Sequence, residues 1–271
     1  MLAASRAWRR EGNSIGLVPT MGALHAGHMS LVDIARREND VVVVSLFVNP
    51  IQFGPGEDLA HYPRDLKRDA GMLEQAMVDA IYVPETKIMY PPEAVTRVQV
   101  GGVAKPLEGV FRPGHFEGVA TVVTKLFTTA EPDRAYFGQK DAQQLAVVKR
   151  FTQDLDLGVE IRVGPIVREA DGLALSSRNV YLRGAERKAA AALSSALRLA
   201  AAAYTAGERE EDALRKIIRD RLEAEPLVTV DYAELVEPAT FHKPGYLAVL
   251  AARIGKTRLI DNHDLTKPFP G

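Results

Sequence analysis

The chain has 271 residues, 46% of them hydrophobic, enough for one large domain or two ordinary ones around a sizeable core. A formal net charge of −1, from 34 lysines and arginines against 35 acidic residues, gives no global field for nucleic acid or an anionic membrane, so any polyanion site must be local. The absence of cysteine excludes disulfides and thiolate chemistry and is compatible with a reducing compartment.

Residues 1–11 read as a helix ended by Gly12-Asn13; they carry Arg6, Arg9 and Arg10 but neither the apolar stretch nor the cleavage site of a leader. The apolar runs at 41–48 and 189–203 are too short or too interrupted to span a bilayer, so the expectation is a soluble, cytoplasmic protein. Residues 14–18 form the first predicted strand, and Met29, Leu31, Val32, Ile34 and Ala35 give a helical spacing over 29–37. Between them lies a loop with Gly22, Gly27 and two histidines, His25-Ala26-Gly27-His28. Glycines allow close backbone approach and a helix N-terminus favours negative charge, so this junction is suited to phosphate. No G-x-G-x-x-G and no G-x-x-x-x-G-K-[ST] is present, which leaves the H-x-G-H tetrapeptide as the feature to explain.

The unbroken β-branched run at 41–47 predicts a strand buried on both faces of a parallel sheet, and completes a βαβ unit. Residues 49–63 form a long Gly- and Pro-rich loop of the kind that carries function. A helix at 65–77 and a short strand at 80–83 follow; 84–113 reads as irregular with a strand at 96–100. Next come a helix at 117–129, a strand at 135–137, the loop Gly138-Gln139-Lys140-Asp141, a helix at 142–153 and a strand at 160–163. This alternation predicts a doubly wound, Rossmann-like α/β sheet domain over 1–167. Beyond Val167 the pattern becomes one long alanine-rich helix at 183–206, a helix at 211–224, a strand at 228–235 and a hairpin of 246–254 with 257–260. Residues 168–271 are therefore expected to form a smaller α+β domain with an antiparallel sheet.

Several residues are of types that carry chemistry. His25 and His28 supply two zinc ligands at most, and without cysteine the remainder would have to come from His61, His115 or carboxylates; a structural role and a phosphate role compete with that reading. Two histidines at a Gly-rich helix start are suited to donate hydrogen bonds to oxygens whose charge grows during displacement. Lys140 follows a predicted strand at the sheet edge where α/β folds bind ligands, against the plain alternative of a solvated loop lysine. Ser176-Ser177-Arg178-Asn179, after Asp171-Gly172, reads either as an N-cap and turn or as a multidentate phosphate clamp. Gln52 and Gln144 are neutral amides able to orient a polar substrate.

Taken together, P-T-M-G-A-L-H-A-G-H, F-V-N-P-I-Q-F, G-Q-K-D-A-Q-Q and D-G-L-A-L-S-S-R-N resemble the pantothenate synthetases (pantoate–β-alanine ligases), from about Trp8 to His263. That family belongs with the H-x-G-H nucleotidyltransferases and class I aminoacyl-tRNA synthetases, whose mobile K-M-S-K-S signature Ser176-Ser177-Arg178 resembles. The resemblance implies ATP-dependent ligation: pantoate and ATP give pantoyl adenylate and pyrophosphate, then the β-alanine amine displaces AMP. It implies an ATP site at Met21, Gly22, Ala23, Leu24, His25, Ala26, Gly27 and His28, with His28 the proton donor and His25 beside it on the phosphates. Gly138, Gln139, Lys140 and Asp141 would meet ribose and phosphates, Val167 and Leu175 would border the nucleotide, and Ser176, Ser177 and Arg178 would grip pyrophosphate. Gln52 and Gln144 would hold pantoate, and Mg2+ would ride on the phosphates, without a protein metal site. A homodimer and a further strand before the first helix are also family expectations. Gln139 stands where glutamate is common and Leu175 where methionine is frequent. The nearest alternative is an H-x-G-H nucleotidyltransferase acting on another acceptor; a nucleotide-binding regulator without turnover and a metal hydrolase are more distant ones.

Overall fold

A computed structural model describes residues 1–270. Helix α1 (Leu2–Arg10) leads into β1 (Ile15–Thr20), α2 (Ala26–Glu38), β2 (Val41–Leu46), α3 (Leu66–Gln75) and β3 (Ala80–Tyr82). The one-turn helices α4 (Thr86–Met89) and α5 (Glu108–Phe111) precede α6 (His115–Ala130), β4 (Arg134–Gly138), α7 (Ala142–Asp154) and β5 (Glu160–Gly164). All five strands pair in parallel in the order β3-β2-β1-β4-β5, the doubly wound arrangement that the alternation predicts. Every residue of β2 is buried, as its β-branched run requires of a strand covered on both faces. Leu31, Val32, Ala35 and Leu73 pack with Val18, Val42, Val44 and Tyr136. Phe137, the next residue of β4, points to the opposite face and meets Phe127 of α6.

The strand order reverses between β1 and β4: β1 leads outward through β2 to β3, whereas β4 leads to β5 on the other side. Loops leaving the carboxyl ends of the two central strands therefore diverge and open a crevice where α/β sheets bind ligands. The loop after β1 ends at His25, with Ala26 to His28 opening α2, and β4 ends in Gly138 with Gln139 behind it.

By contacts the chain divides into two compact units, one of Met1–Gln139 with Gln143–Pro165, the other of Lys140–Ala142 with the chain from Ile166 onward. The second unit contains α8 (Gly184–Ala189), α9 (Ala191–Thr205) and α10 (Glu211–Glu223), then β6 (Val228–Val236), β7 (Leu247–Ile254) and β8 (Thr257–Asp264) in an antiparallel sheet of order β6-β7-β8. Leu193 and Leu197 of α9 and Leu214, Ile218 and Leu222 of α10 form a core with Ala233, Leu235, Leu250 and Ile254 of the sheet.

Two expectations are corrected. Residues 96–100 are not a strand: the Val98 N–H donates to Thr121 Oγ1 at 3.0 Å, so a side chain of α6 takes a donor that a ladder would have used. The long helix expected over 183–206 is two helices separated at Ala190, where the Leu193 N–H turns back to the Ala190 carbonyl at 3.2 Å in a tighter turn. No glycine or proline marks that break. Among the described residues, no helix is long and apolar enough to cross a membrane.

Candidate active site

The H-x-G-H sequence acts first on its own backbone. His25 is the N-cap of α2 with an extended backbone, and its Nδ1 accepts the Gly27 N–H at 3.2 Å. Three residues on, His28 Nδ1 accepts the His25 N–H at 3.3 Å, so the two imidazoles form a reciprocal capping box. Their ring centroids lie 4.1 Å apart. A nitrogen that accepts from an amide carries no proton, so in each neutral ring the proton resides on Nε2. The cap therefore selects the tautomer as well as the ring orientation, and each histidine presents Nε2–H as its donor.

The loop leading to this cap, Met21 to Leu24, runs through left-handed backbone at Gly22 (φ +79°) and Ala23 (φ +51°). Asp69, on the first turn of α3 and almost fully buried, holds it there: its carboxylate accepts the Ala23 N–H at 2.7 Å and the Leu24 N–H at 2.9 Å. Thr20 at the end of β1 adds a third tie, its Oγ1 accepting the Gly22 N–H at 3.2 Å. Ala23 adopts a conformation that an L residue disfavours, so its persistence depends on these bonds.

Gln52 ends a 3-10 turn, Pro50–Gln52, and is buried. Asn49 Nδ2 donates both to the Gly118 carbonyl at 3.0 Å and to Gln52 Oε1 at 2.9 Å. Because a backbone carbonyl only accepts, Asn49 has one orientation, which in turn fixes Gln52 with its Nε2 donors toward Met21 Sδ, 3.1 Å away. Tyr90, whose phenol burial keeps protonated far above its ordinary range, donates to Asn49 Oδ1 at 2.8 Å. The backbone of the turn is fixed too. His115 Nδ1 donates to the Gln52 carbonyl at 2.9 Å, while its Nε2 accepts from Arg112 Nη1 at 3.1 Å. Burial, reinforced by the Arg112 charge, pulls the His115 pKa down to about 4, so the ring is neutral as this pattern of bonds requires. Gly118 of α6 permits the approach: a Cβ there would stand 2.6 Å from Gln52 Cα and from the Ile51 carbonyl oxygen.

Gln144 is half-buried on the first turn of α7. Its neighbour Gln143 is structural, its amide bonding the Glu108 N–H and the carbonyls of Val103 and Pro106.

In the second unit, Lys140 and Asp141 share a 3-10 turn and an ion pair of 3.6 Å. Val167 and Leu175 are backbone partners, the Leu175 N–H donating to the Val167 carbonyl at 2.9 Å, beside a bridge of Arg168 with Ala174. This ribbon delivers the 3-10 turn Ser177–Tyr181, which Ser176 caps by accepting the Arg178 N–H on its Oγ at 3.3 Å. Asn179 secures the turn from below through Glu169 Oε1 at 2.8 Å and the Ala174 carbonyl at 3.2 Å. The capping reading of Ser176 is therefore correct, and it holds two hydroxyls and a guanidinium on one short turn.

Among the described residues no group of three histidines, cysteines, aspartates or glutamates is placed to hold a metal ion. The family model for pantoate-beta-alanine ligase matches residues 1–264. The chain belongs to this family. Among curated pantoate–β-alanine ligases it is 57% identical over 252 residues to the pantothenate synthetase of Roseiflexus sp. (strain RS-1), covering 91% of each chain. It is 53% identical over 269 residues to that of Gluconobacter oxydans (strain 621H), covering 97% of this chain and 98% of the relative. The fold matches a crystal structure of pantothenate synthetase from Thermus thermophilus with a TM-score of 0.92 at 47% identity over 98% of both chains. A pantoate-beta-alanine ligase from Francisella tularensis, crystallised with beta-gamma ATP and beta-alanine, matches with a TM-score of 0.82 at 34% identity over 99% of this chain and 97% of that one.

The residues that sequence reasoning missed are those that hold the loops and turns in place: Asp69, Asn49 and Gly118, with His115, weighed there only as a metal ligand. Each is an ordinary residue in its local sequence, and only Asn49, next to Pro50 in the F-V-N-P-I-Q-F motif, stands where a signal was legible.

Proposed function

We propose that this chain is an ATP-dependent ligase that joins pantoate to β-alanine and releases pantothenate, AMP and pyrophosphate. The observation that carries the site reading is the capping pair of His25 and His28, whose Nδ1 atoms accept backbone N–H groups and leave Nε2–H as the ring donor at the amino end of α2, beside a loop tied to Asp69. Donors fixed in advance at a point where negative charge develops lower a barrier most, because they need no reorganisation during reaction.

In the first step a pantoate carboxylate oxygen attacks the α-phosphorus of ATP; the bond from phosphorus to the bridging oxygen breaks and pyrophosphate leaves. His28 and His25 donate to the oxygens that gain charge, Lys140 neutralises the phosphates, and Ser176, Ser177 and Arg178 take hold of the departing pyrophosphate. Gln52 and Gln144 orient pantoate through neutral donors and acceptors. Gly138 and Asp141 border the ribose, with Gln139 part of the same ATP-binding turn, and Val167 and Leu175 border the nucleotide. In the second step the β-alanine amine attacks the acyl carbon of the adenylate, AMP leaves with the bonding pair, and the ammonium loses its proton. Magnesium brought in with the phosphates of ATP would supply further charge neutralisation there, beside Lys140 and Arg178. A cytoplasmic homodimer completes the proposal, with sedimentation of the purified protein as its check.

The deciding experiment measures pyrophosphate release from ATP and magnesium with pantoate alone and then with pantoate and β-alanine. A single-turnover burst that becomes continuous only with β-alanine is expected. A protein that binds ATP but shows no burst with pantoate overturns the choice of acceptor.

A further inference from the structure

The turn that carries Lys140, Gln139–Asp141, buries none of its own residues, so apolar packing does not hold it. A buried amide does. Asn262, in the edge strand β8 and only 2% exposed, donates from Nδ2 to the Lys140 carbonyl at 2.9 Å, across 122 residues of sequence. The amide is itself anchored. The Asn262 N–H donates to Asp261 Oδ1 at 2.8 Å, and the same carboxylate takes both arms of Arg168 at 2.6 and 3.0 Å. Arg168 lies 5.0 Å over the Phe269 ring and also donates to the Gly172 carbonyl at 3.0 Å. A bidentate, stacked and buried ion pair has little freedom, so the backbone from which Asn262 reaches is rigid.

We propose that Asn262 is a positioning residue for the ligation: by holding the Lys140 carbonyl it sets where the Lys140 ammonium stands when ATP is bound. The inference rests on the reading of Lys140 as a phosphate ligand given above. Lysine is a point charge on a flexible stem, and a phosphate ligand displaced by about 1 Å loses up to ~100-fold in rate, so an anchor on its backbone has kinetic value. Adjacent strand positions send side chains to opposite faces, which lets β8 serve two segments at once: Asn262 toward Lys140, and Asp261 toward Arg168 and the ribbon that bears Ser176.

The test is a double-mutant cycle of Asn262→Leu with Lys140→Ala, read as single-turnover pyrophosphate release from ATP and pantoate. Asn262→Leu alone is expected to slow release about tenfold, part of the range for a misplaced group. The attack of β-alanine on adenylate already formed is expected to keep its rate, which a general loosening of the fold would not allow. In the Lys140→Ala background the same substitution is expected to add nothing, since no ammonium remains to be placed. An equal further slowing in that background overturns the proposal alone. A Lys140→Ala variant that releases pyrophosphate at the parental rate overturns the phosphate reading of Lys140 and the proposal with it. Should Asn262→Leu not fold, Asn262→Ala enters the same cycle, and loss of the folded state in both makes Asn262 a structural residue and overturns the proposal.

Discussion

His25 and His28 each accept a backbone N–H on Nδ1, His25 from Gly27 and His28 from His25, so the pair caps its own helix and fixes its own tautomers. Capping and donation are carried by different nitrogens of the same rings, and they are separable by substitution. His28→Ala removes both and is expected to lower turnover ~100-fold, the scale of a lost transition-state donor, and to cost about 1 kcal/mol of stability. His28→Gln keeps an acceptor at the capping-box position and is expected to recover the stability without the turnover. Thermal unfolding and steady-state rates measured on both variants check the separation; recovery of turnover in His28→Gln would refute donation from Nε2.

Gln52 is held by Asn49, His115 and the gap at Gly118. Gln52→Ala is expected to raise the KM for pantoate more than it lowers kcat, because a substrate-orienting contact is partly uniform binding. Gly118→Ala forces a methyl group into the backbone of the turn and is expected to raise the same KM, while lowering stability by about 1–3 kcal/mol, the usual cost of overpacking. A Gly118→Ala variant with a parental pantoate KM would show that the turn does not position substrate.

Asp69 binds two amides of a loop in left-handed conformation. Asp69→Asn leaves one amide facing an NH2 group in place of an acceptor, so a loss of about 2 kcal/mol is expected, the range for a hydrogen bond to a charged group. The KM for ATP is expected to rise severalfold with it. Denaturant melts and ATP titration give both values.

His115 yields a pH dependence. Its pKa lies at about 4 in the folded protein against the ordinary 6.5, so the unfolded chain binds a proton that the native state refuses. Stability is therefore full above about pH 6.5, falls between pH 6.5 and 4, and loses on the order of 3 kcal/mol from this group across the window. His115→Gln, which retains a donor for Gln52 and an acceptor for Arg112, is expected to lack that part of the slope. Urea melts from pH 7 to pH 4 on both proteins check it; identical slopes would remove His115 as the cause.

Local sequence was enough to read the order and kind of most elements and the place of every motif. Period and composition act within a few residues: the β-branched run of β2 can only be a strand covered on both faces, and Gly22 to His28 must be a turn into a helix start. Legible too, as candidates, were the histidine pair, Gln52, Lys140 and the Ser176 turn, because residue types suited to such chemistry are concentrated there in short, unusual strings. What holds those residues in place depends on contacts that only the folded chain makes. Asp69 reaches Ala23 over 46 residues, His115 reaches Gln52 over 63, and Asn262 reaches Lys140 over 122, and each is a common polar residue in an ordinary local setting. The same reason explains the two misread elements. Val98 gives its N–H to a threonine on a later helix, and the helix expected over 183–206 breaks at Ala190 with no local breaker. A hydrogen bond or packing contact to a distant partner outweighs a local preference worth less than about 1 kcal/mol per residue, and no window of sequence contains both sides of that balance.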